Sequence, residues 1–163
     1  KFEGQGGLAS LRLSLANRYA AEYGLEGGIS GLMGERLAHG GMKVQTRRAG
    51  IDGRYRRFVP TGLVTATTEL SGGNDAVDAV FTQLYQAEYL HGSRRWGLAG
   101  QHRRFWRDGM GADGSLIAEA SWYLRNDVGN SNFHWLKLNV ERQVESARRN
   151  RDTIVALQYY RYW

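Results

Sequence analysis

The sequence predicts an all-β fold, an antiparallel β-barrel of about eight strands formed as a single domain over residues 1–163. Two observations predict it. Clusters rich in Gly, Asn and Asp recur at even intervals from about residue 37 onward, and such residues tolerate positive φ or cap turns. The runs between them are about ten residues long, and several alternate apolar with polar side chains, the period of a strand with two different faces.

Composition supports this class. The chain has 163 residues with 42% hydrophobic and 12% aromatic content, enough for one ordered domain and too apolar for a disordered one. It has no Cys, which excludes a disulfide scaffold and a thiolate metal site and suits passage through an oxidising compartment. No cofactor or metal is expected. No stretch approaches the ~18 consecutive apolar residues of a spanning helix, so any membrane contact is made by strands or by a surface. Lys1 opens no secretory leader, and a signal already removed is the expectation. The net charge is +6, and of the 22 basic residues all but Lys1, Lys43 and Lys137 are arginine.

The turn clusters are His39–Gly41, Ala49–Gly53, Ser71–Asp75, His91–Arg95, Asp108–Gly114, Arg125–Asn130 and Ser146–Asp152. Leu8 to Tyr23 fits a strand on Leu11, Leu13 and Leu15 and a helix on Leu8, Leu11, Leu15 and Tyr19 equally well; counted as a helix, it leaves about eight strands. Asp75 to His91 has a helical stripe of Val77, Val80, Phe81, Leu84 and Tyr85. It also alternates through Ala79, Phe81, Tyr85, Ala87 and Tyr89, broken by Gln83, and its neighbours favour the strand. In the run Trp96 to Trp106, Trp96, Leu98, Gly100 and Trp106 oppose Gln101 and Arg103, while His102 and Arg104 fall on the apolar side, where a cation at mid-bilayer would cost roughly 2–4 kcal/mol, so a membrane reading expects them near an interface. Leu116, Ala118, Ala120, Trp122 and Leu124 oppose Glu119, Ser121, Tyr123 and Arg125. Leu136, Leu138, Val140 and Val144 oppose Lys137, Asn139 and Glu141, with Arg142 breaking the apolar side. In the last run Val155, Leu157, Tyr159 and Trp163 alternate with Ala156, Gln158, Tyr160 and Tyr162.

Such runs close either as a soluble sandwich or barrel or as a membrane barrel with its apolar face outward. Tyr19, Tyr85, Tyr89, Trp96, Trp106, Trp122, Trp135, Tyr159 and Trp163 sit mostly toward run ends, as aromatic girdles do; the same residues also fill ordinary β cores. On the polar side Asp78, Gln86, Glu88, Arg103, Glu119, Lys137, Asn139 and Glu141 are the candidate lumen lining, with Glu119 or Glu141 meeting Lys137 or Arg103. The other reading of that side is a solvated sheet face.

The chain resembles Gram-negative outer-membrane β-barrel proteins. The resemblance is carried by the even spacing of alternating runs, the lack of Cys, the Gly and aromatic enrichment, and the ending Thr153-Ile-Val-Ala-Leu-Gln-Tyr-Tyr-Arg-Tyr-Trp163. In that family the last strand ends in an aromatic residue preceded by apolar residues at alternate positions, matched here by Val155, Leu157, Tyr159 and Trp163; Arg161 departs, where the family favours an aromatic. The resemblance implies recognition of those four by the outer-membrane assembly machinery, residence in the bacterial outer membrane, and lipid and lipopolysaccharide as partners. The loop-poor, arginine-rich character further resembles the C-terminal barrels of exopolysaccharide-export porins. That implies passage of a hydrophilic solute or polysaccharide, a periplasmic scaffold, and a chain forming the C-terminal portion of a larger barrel. About eight strands closed alone leave no aqueous path.

Arg47-Arg48, Arg54-Arg56-Arg57, Arg94-Arg95, Arg103-Arg104-Arg107 and Arg148-Arg149-Arg151 are expected near turns. Arg94, Arg95, Arg148 and Arg149 are the candidate rim site for lipopolysaccharide phosphate or an anionic solute. The rival is a soluble basic α+β protein that binds nucleic acid through these arginines with Tyr55, Phe58, Phe105 and Trp106, and uses Leu8 to Tyr23 and Asp75 to His91 as helices. No lipase elbow, zinc motif or phosphate loop is present, so an enzyme is not expected; His91, Ser93 and Glu88 are its weak favourites.

Overall fold

The computed structural model describes residues 7–17, 23–37, 43–76, 78–126, 133–145 and 152–162. It is all-β. Nine strands run β1 Leu8–Asn17, β2 Tyr23–Leu37, β3 Lys43–Val59, β4 Gly62–Asp75, β5 Asp78–His91, β6 Trp96–Arg107, β7 Gly111–Asn126, β8 Phe133–Glu145 and β9 Thr153–Tyr162. Each pairs antiparallel with its neighbour in sequence order, forming one meander from β1 to β9.

Both ambiguous segments are strands. Leu8–Asn17 is β1 and Asp78–His91 is β5, so the described residues form nine strands and give neither helix of the α+β rival. The physical reason is partnership: β1 lies in register along β2, from Leu8 opposite Gly34 to Asn17 opposite Leu25, and each pair of ladder bonds outweighs the weak helical preference of an isolated stripe. Sequence reading did not single out β2. Its outward positions are Leu25, Gly27, Ile29, Gly31 and Met33, and the glycines erase the alternation.

Two of the turn clusters lie inside strands. Ala49–Gly53 sits in the middle of β3, and Ser71–Asp75 ends β4, with the turn displaced to Ala76, where φ is +63°. Glycine serves close approach here instead of chain reversal. A Cβ at Gly50 would stand 3.0 Å from Ser30 Oγ and 3.1 Å from Leu70 O. Gly73 combines a φ of +154° with a Cβ position that overlaps the Arg47 carbonyl oxygen. Gly73→Ala is therefore expected to cost about 2 kcal/mol or more, read as a lowered urea midpoint. Gly100→Ala is the control: nothing lies within 4 Å of its Cβ position, and it should change stability by less than about 0.5 kcal/mol.

The register aligns the alternating faces across the sheet. One row runs Leu11, Gly31, Ala49, Gly72, Phe81, Trp106 and Ala112; another runs Leu13, Ile29, Ile51 and Leu70 and continues into Gln83 and Arg104. On the opposite face, Glu88, Ala99, Glu119 and Asn139 share a row. Register shifts in β7, between Gly114 and Ser115 and between Tyr123 and Arg125, lie toward its two ends, and from Ser115 to Tyr123 the faces of β7 and β8 match.

Burial is the reverse of a soluble core. The polar face is the covered one: Thr46, Asp75, Ser115 and Ser121 are buried. Among the described residues the only buried apolar side chain is Val80, and it too lies on the polar face. Across the apolar face, Leu11, Leu13, Leu25, Ile29, Ile51, Leu98, Leu116 and Trp122 are all exposed.

Candidate functional site: a polar sheet face with crossing ion pairs

All eight expected lining residues, Asp78, Gln86, Glu88, Arg103, Glu119, Lys137, Asn139 and Glu141, share the polar face. Of the pairings left open between Glu119 or Glu141 and Lys137 or Arg103, two are formed. Lys137 Nζ lies 2.8 Å from Glu119, and Arg103 pairs with Glu141 while its Nε donates to Ser115 Oγ at 2.8 Å. Arg103 stands on β6 and Glu141 on β8, so this pair crosses β7.

Arg12 makes the same kind of crossing from β1 to Asp52 on β3, with Nε donating to one carboxylate oxygen at 3.2 Å and Nη2 to the other at 2.5 Å. The strand beneath it makes room. Gly28 is the register partner of Asp52, and a Cβ there would stand 3.0 Å from the carboxylate. Side chains two strands apart meet on this face, so the sheet curls toward it. Sequence reading missed this pair because its members lie 40 residues apart and Asp52 fell in a cluster read as a turn.

The polar face also holds two recesses that share Glu69 and Thr82. One, of about 520 Å³, is lined by Arg12, Glu26, Ser30, Asp52, Arg54 and Glu69. The other, of about 440 Å³, is lined by Glu69, Thr82, Arg103, Asp113, Ser115 and Glu141. Both signs of charge and several hydroxyls line them, a surface suited to water and to neutral or zwitterionic polar solutes.

Near the turn at residues 108–110, two aspartates face each other across the β4–β5 hairpin as register partners, Asp75 and Asp78. Like charges so placed repel, and each is held by an arginine from the outer side. Arg48 reaches Asp75 from β3 at 3.5 Å, and Arg107 reaches Asp78 from β6 at 2.7 Å. Thr46 Oγ1 donates to Asp75 at 2.9 Å.

Aromatic side chains on the apolar face gather toward the strand ends. At the end that carries the Pro60–Thr61 turn, Tyr89 and His91 pack on Trp96 at 5.5 and 4.8 Å, and His134 bonds Tyr159 at 2.6 Å between Nδ1 and the hydroxyl. At the other end Phe81 and Trp106 are register partners. Two members of the expected girdle set depart from it. Tyr85 is at the middle of β5, and Trp135 stands on the polar face, stacked on Tyr160 at 4.7 Å.

The arginine groups are corrected in place. Arg47, Arg48 and Arg54 lie well inside β3 and Arg103 and Arg104 inside β6, whereas Arg56, Arg57 and Arg107 are in strand close to the turns at 60–61 and 108–110; Arg94 and Arg95 are in a turn, both exposed. Arg148, Arg149, Trp163 and Tyr19 lie outside the described residues, so the rim and assembly sets are seen only in part, the latter as Val155, Leu157 and Tyr159 exposed on β9.

The weak catalytic favourites do not assemble. His91 Nδ1 and Ser93 Oγ are 2.8 Å apart within one turn, whereas Glu88 bonds Gln86 on the other face of the sheet. No group of three His, Asp or Glu suited to a metal occurs among the described residues, nor any helix long and apolar enough to cross a membrane. No protein family, curated protein or solved structure gives a match to the chain.

Proposed function

We propose that this chain is wall of an outer-membrane β-barrel, with its apolar face against lipid and its polar face lining a water-filled path for a hydrophilic solute such as a polysaccharide. One observation carries the reading: the covered face is polar and ion-paired, while most of the large exposed apolar side chains stand on the other face, interrupted there by Gln83, His102, Arg104 and Arg142. Water penalises such a surface, since soluble monomers rarely expose contiguous apolar patches beyond a few hundred Å², and each large side chain gains ~1.5–3 kcal/mol on leaving water. A hydrocarbon surround removes that penalty. It also supplies the reason for aromatics toward both strand ends, where headgroups meet water. The reading is passage without chemistry: Arg12, Arg103, Arg107 and Lys137 on the polar face are each engaged in an ion pair with a carboxylate of that face.

The test sets the two faces against each other. Single-Trp variants that retain Trp122 on the apolar face or Trp135 on the polar face are placed in a brominated detergent, which quenches fluorescence on contact. Trp122 should be strongly quenched and Trp135 spared. Cysteines at Gln86 or Glu141 should react with a charged, water-soluble thiol reagent, and those at Leu98 or Leu138 should not. Equal quenching of the two tryptophans, or a chain that stays dissolved without detergent, overturns the proposal.

A further inference from the structure

We infer that the apolar face carries a binding groove for one anionic glycerophospholipid, with an acyl chain laid across the strands and the phosphate held by Arg142. The inference deepens the barrel reading and rests on it for the lipid that meets this face. The groove has a volume of about 900 Å³ and runs from Leu25 on β2 to Val140 on β8. It is deep because Ala66, Ala87, Gly100 and Ala118, register partners on β4 to β7, offer no bulk. Tyr55 continues that row on β3, and Tyr85 and Leu116 wall the groove in the next row. The spacings from β2 to β8 add up to roughly 29 Å, a length that takes a full acyl chain.

Charge fixes which end holds the head. Arg142 is exposed, lines the groove, and has no ion pair among the described residues. An unpaired cation that faces hydrocarbon is destabilising, and a phosphate gives its guanidinium a bidentate, charge-assisted partner. Arg142 stands near the end of β8, opposite Thr153, the first residue of β9, whereas Tyr85 and His102 are at the middle of β5 and β6. The groove therefore leads from a strand end toward the middle of the face, the course of a chain whose head lies in the headgroup layer. His102 and Arg142 flank Leu116 in one row. The His102 ring lies parallel to Tyr85, with centroids 6.4 Å apart, so the wall on β6 continues the wall on β5.

One apolar-face arginine and one groove also set the kind of lipid. A free phosphate would use Arg142 and leave the groove empty, and a neutral chain would fill the groove and leave Arg142 unpaired. A zwitterionic head would bring a second cation beside the guanidinium. Lipid A carries two phosphates and several chains, more than this site can take. A single phosphate on a diacyl glycerol matches both features.

The test counts retained lipid by native mass spectrometry on the chain folded and stripped of lipid in a neutral detergent. A single dioleoyl phosphatidylglycerol is expected to bind, about tenfold more tightly than dioleoyl phosphatidylcholine. Arg142→Gln should erase that preference, and the double change Arg94→Gln with Arg95→Gln, in an exposed turn, should leave it. Gly100→Leu should block both lipids: nothing lies within 4 Å of a Cβ there, so the added side chain fills the groove without disturbing the sheet. Glycerol phosphate, a head without a chain, should not displace the bound lipid. A preference that survives Arg142→Gln, undiminished binding in Gly100→Leu, displacement by glycerol phosphate, or stronger retention of lipid A overturns the inference. Quenching of Trp122 by the brominated detergent is scored on the same samples. A quenched Trp122 without a phosphatidylglycerol preference refutes this site alone, and an unquenched Trp122 refutes the lipid-facing reading beneath it.

Discussion

Replacing Ile51 by lysine is expected to cost about 2–4 kcal/mol of folding stability in lipid, the range for a cation at mid-bilayer. Ile51 sits at the centre of β3, exposed at 57%, in register with Ile29 on one side and Leu70 on the other. If water covered this face, a residue so exposed would tolerate the charge, and the change would stay within about 0.5 kcal/mol. The two outcomes differ by a factor of roughly ten to several hundred in the folded ratio at 1.4 kcal/mol per decade. Gln86→Lys is the matched control. It places the same cation on the polar face beside Glu88, in a recess shared with Glu119 and its partner Lys137, where stability should change by less than about 0.5 kcal/mol. Urea unfolding in lipid vesicles followed by tryptophan fluorescence gives both numbers; a small loss at Ile51 equal to that at Gln86 would remove lipid from that face.

The same substitution shows why so much of the fold was legible. From Trp96 onward, alternation assigned Leu98, Leu116, Trp122, Leu138 and Leu157 to one face and Arg103, Glu119, Lys137 and Glu141 to the other, and the register upholds each assignment. Face depends only on parity along a strand, a local property with period two. Parity puts Arg103, Glu119, Lys137 and Glu141 on one face, so a meeting of Glu119 or Glu141 with Lys137 or Arg103 was legible, whereas which carboxylate meets which cation depends on the register and on the curl that brings β6 to β8. What was hidden depended on glycine. Gly27 and Gly31 interrupt the apolar side of β2, and Gly50, Gly53, Gly72 and Gly73 imitate turns while lying within paired strands. A glycine that reverses a chain and one that lets a neighbour's side chain pass overhead read alike in sequence; the distinction lies in Ser30, Leu70 and Asp52, which come near only after the sheet has formed.

Asp75→Ala is expected to be as damaging as the outward lysine, for the opposite reason. Asp75 is 6% exposed and accepts from Thr46, itself buried, while Arg48 approaches its second oxygen at 3.5 Å. Arg48 reaches that position by crossing Gly73, its register partner, and its Nε is buried with no hydrogen-bond partner. Removing the carboxylate leaves a half-buried guanidinium and a buried hydroxyl without this acceptor. Breaking a fully buried pair costs 3–5 kcal/mol; because Arg48 remains partly in contact with water, about 2–4 kcal/mol is expected here. Asp75→Asn keeps an acceptor for Thr46 and loses the charge, so it should fall between the variant and the parent. Adding Arg48→Ala to Asp75→Ala should cost less than it does alone, with a coupling of about 1–3 kcal/mol, because the second change removes the stranded charge. Strict additivity in urea unfolding would mean that the two side chains act independently. The arrangement of one arginine for each of two facing aspartates would then be incidental to the hairpin it surrounds.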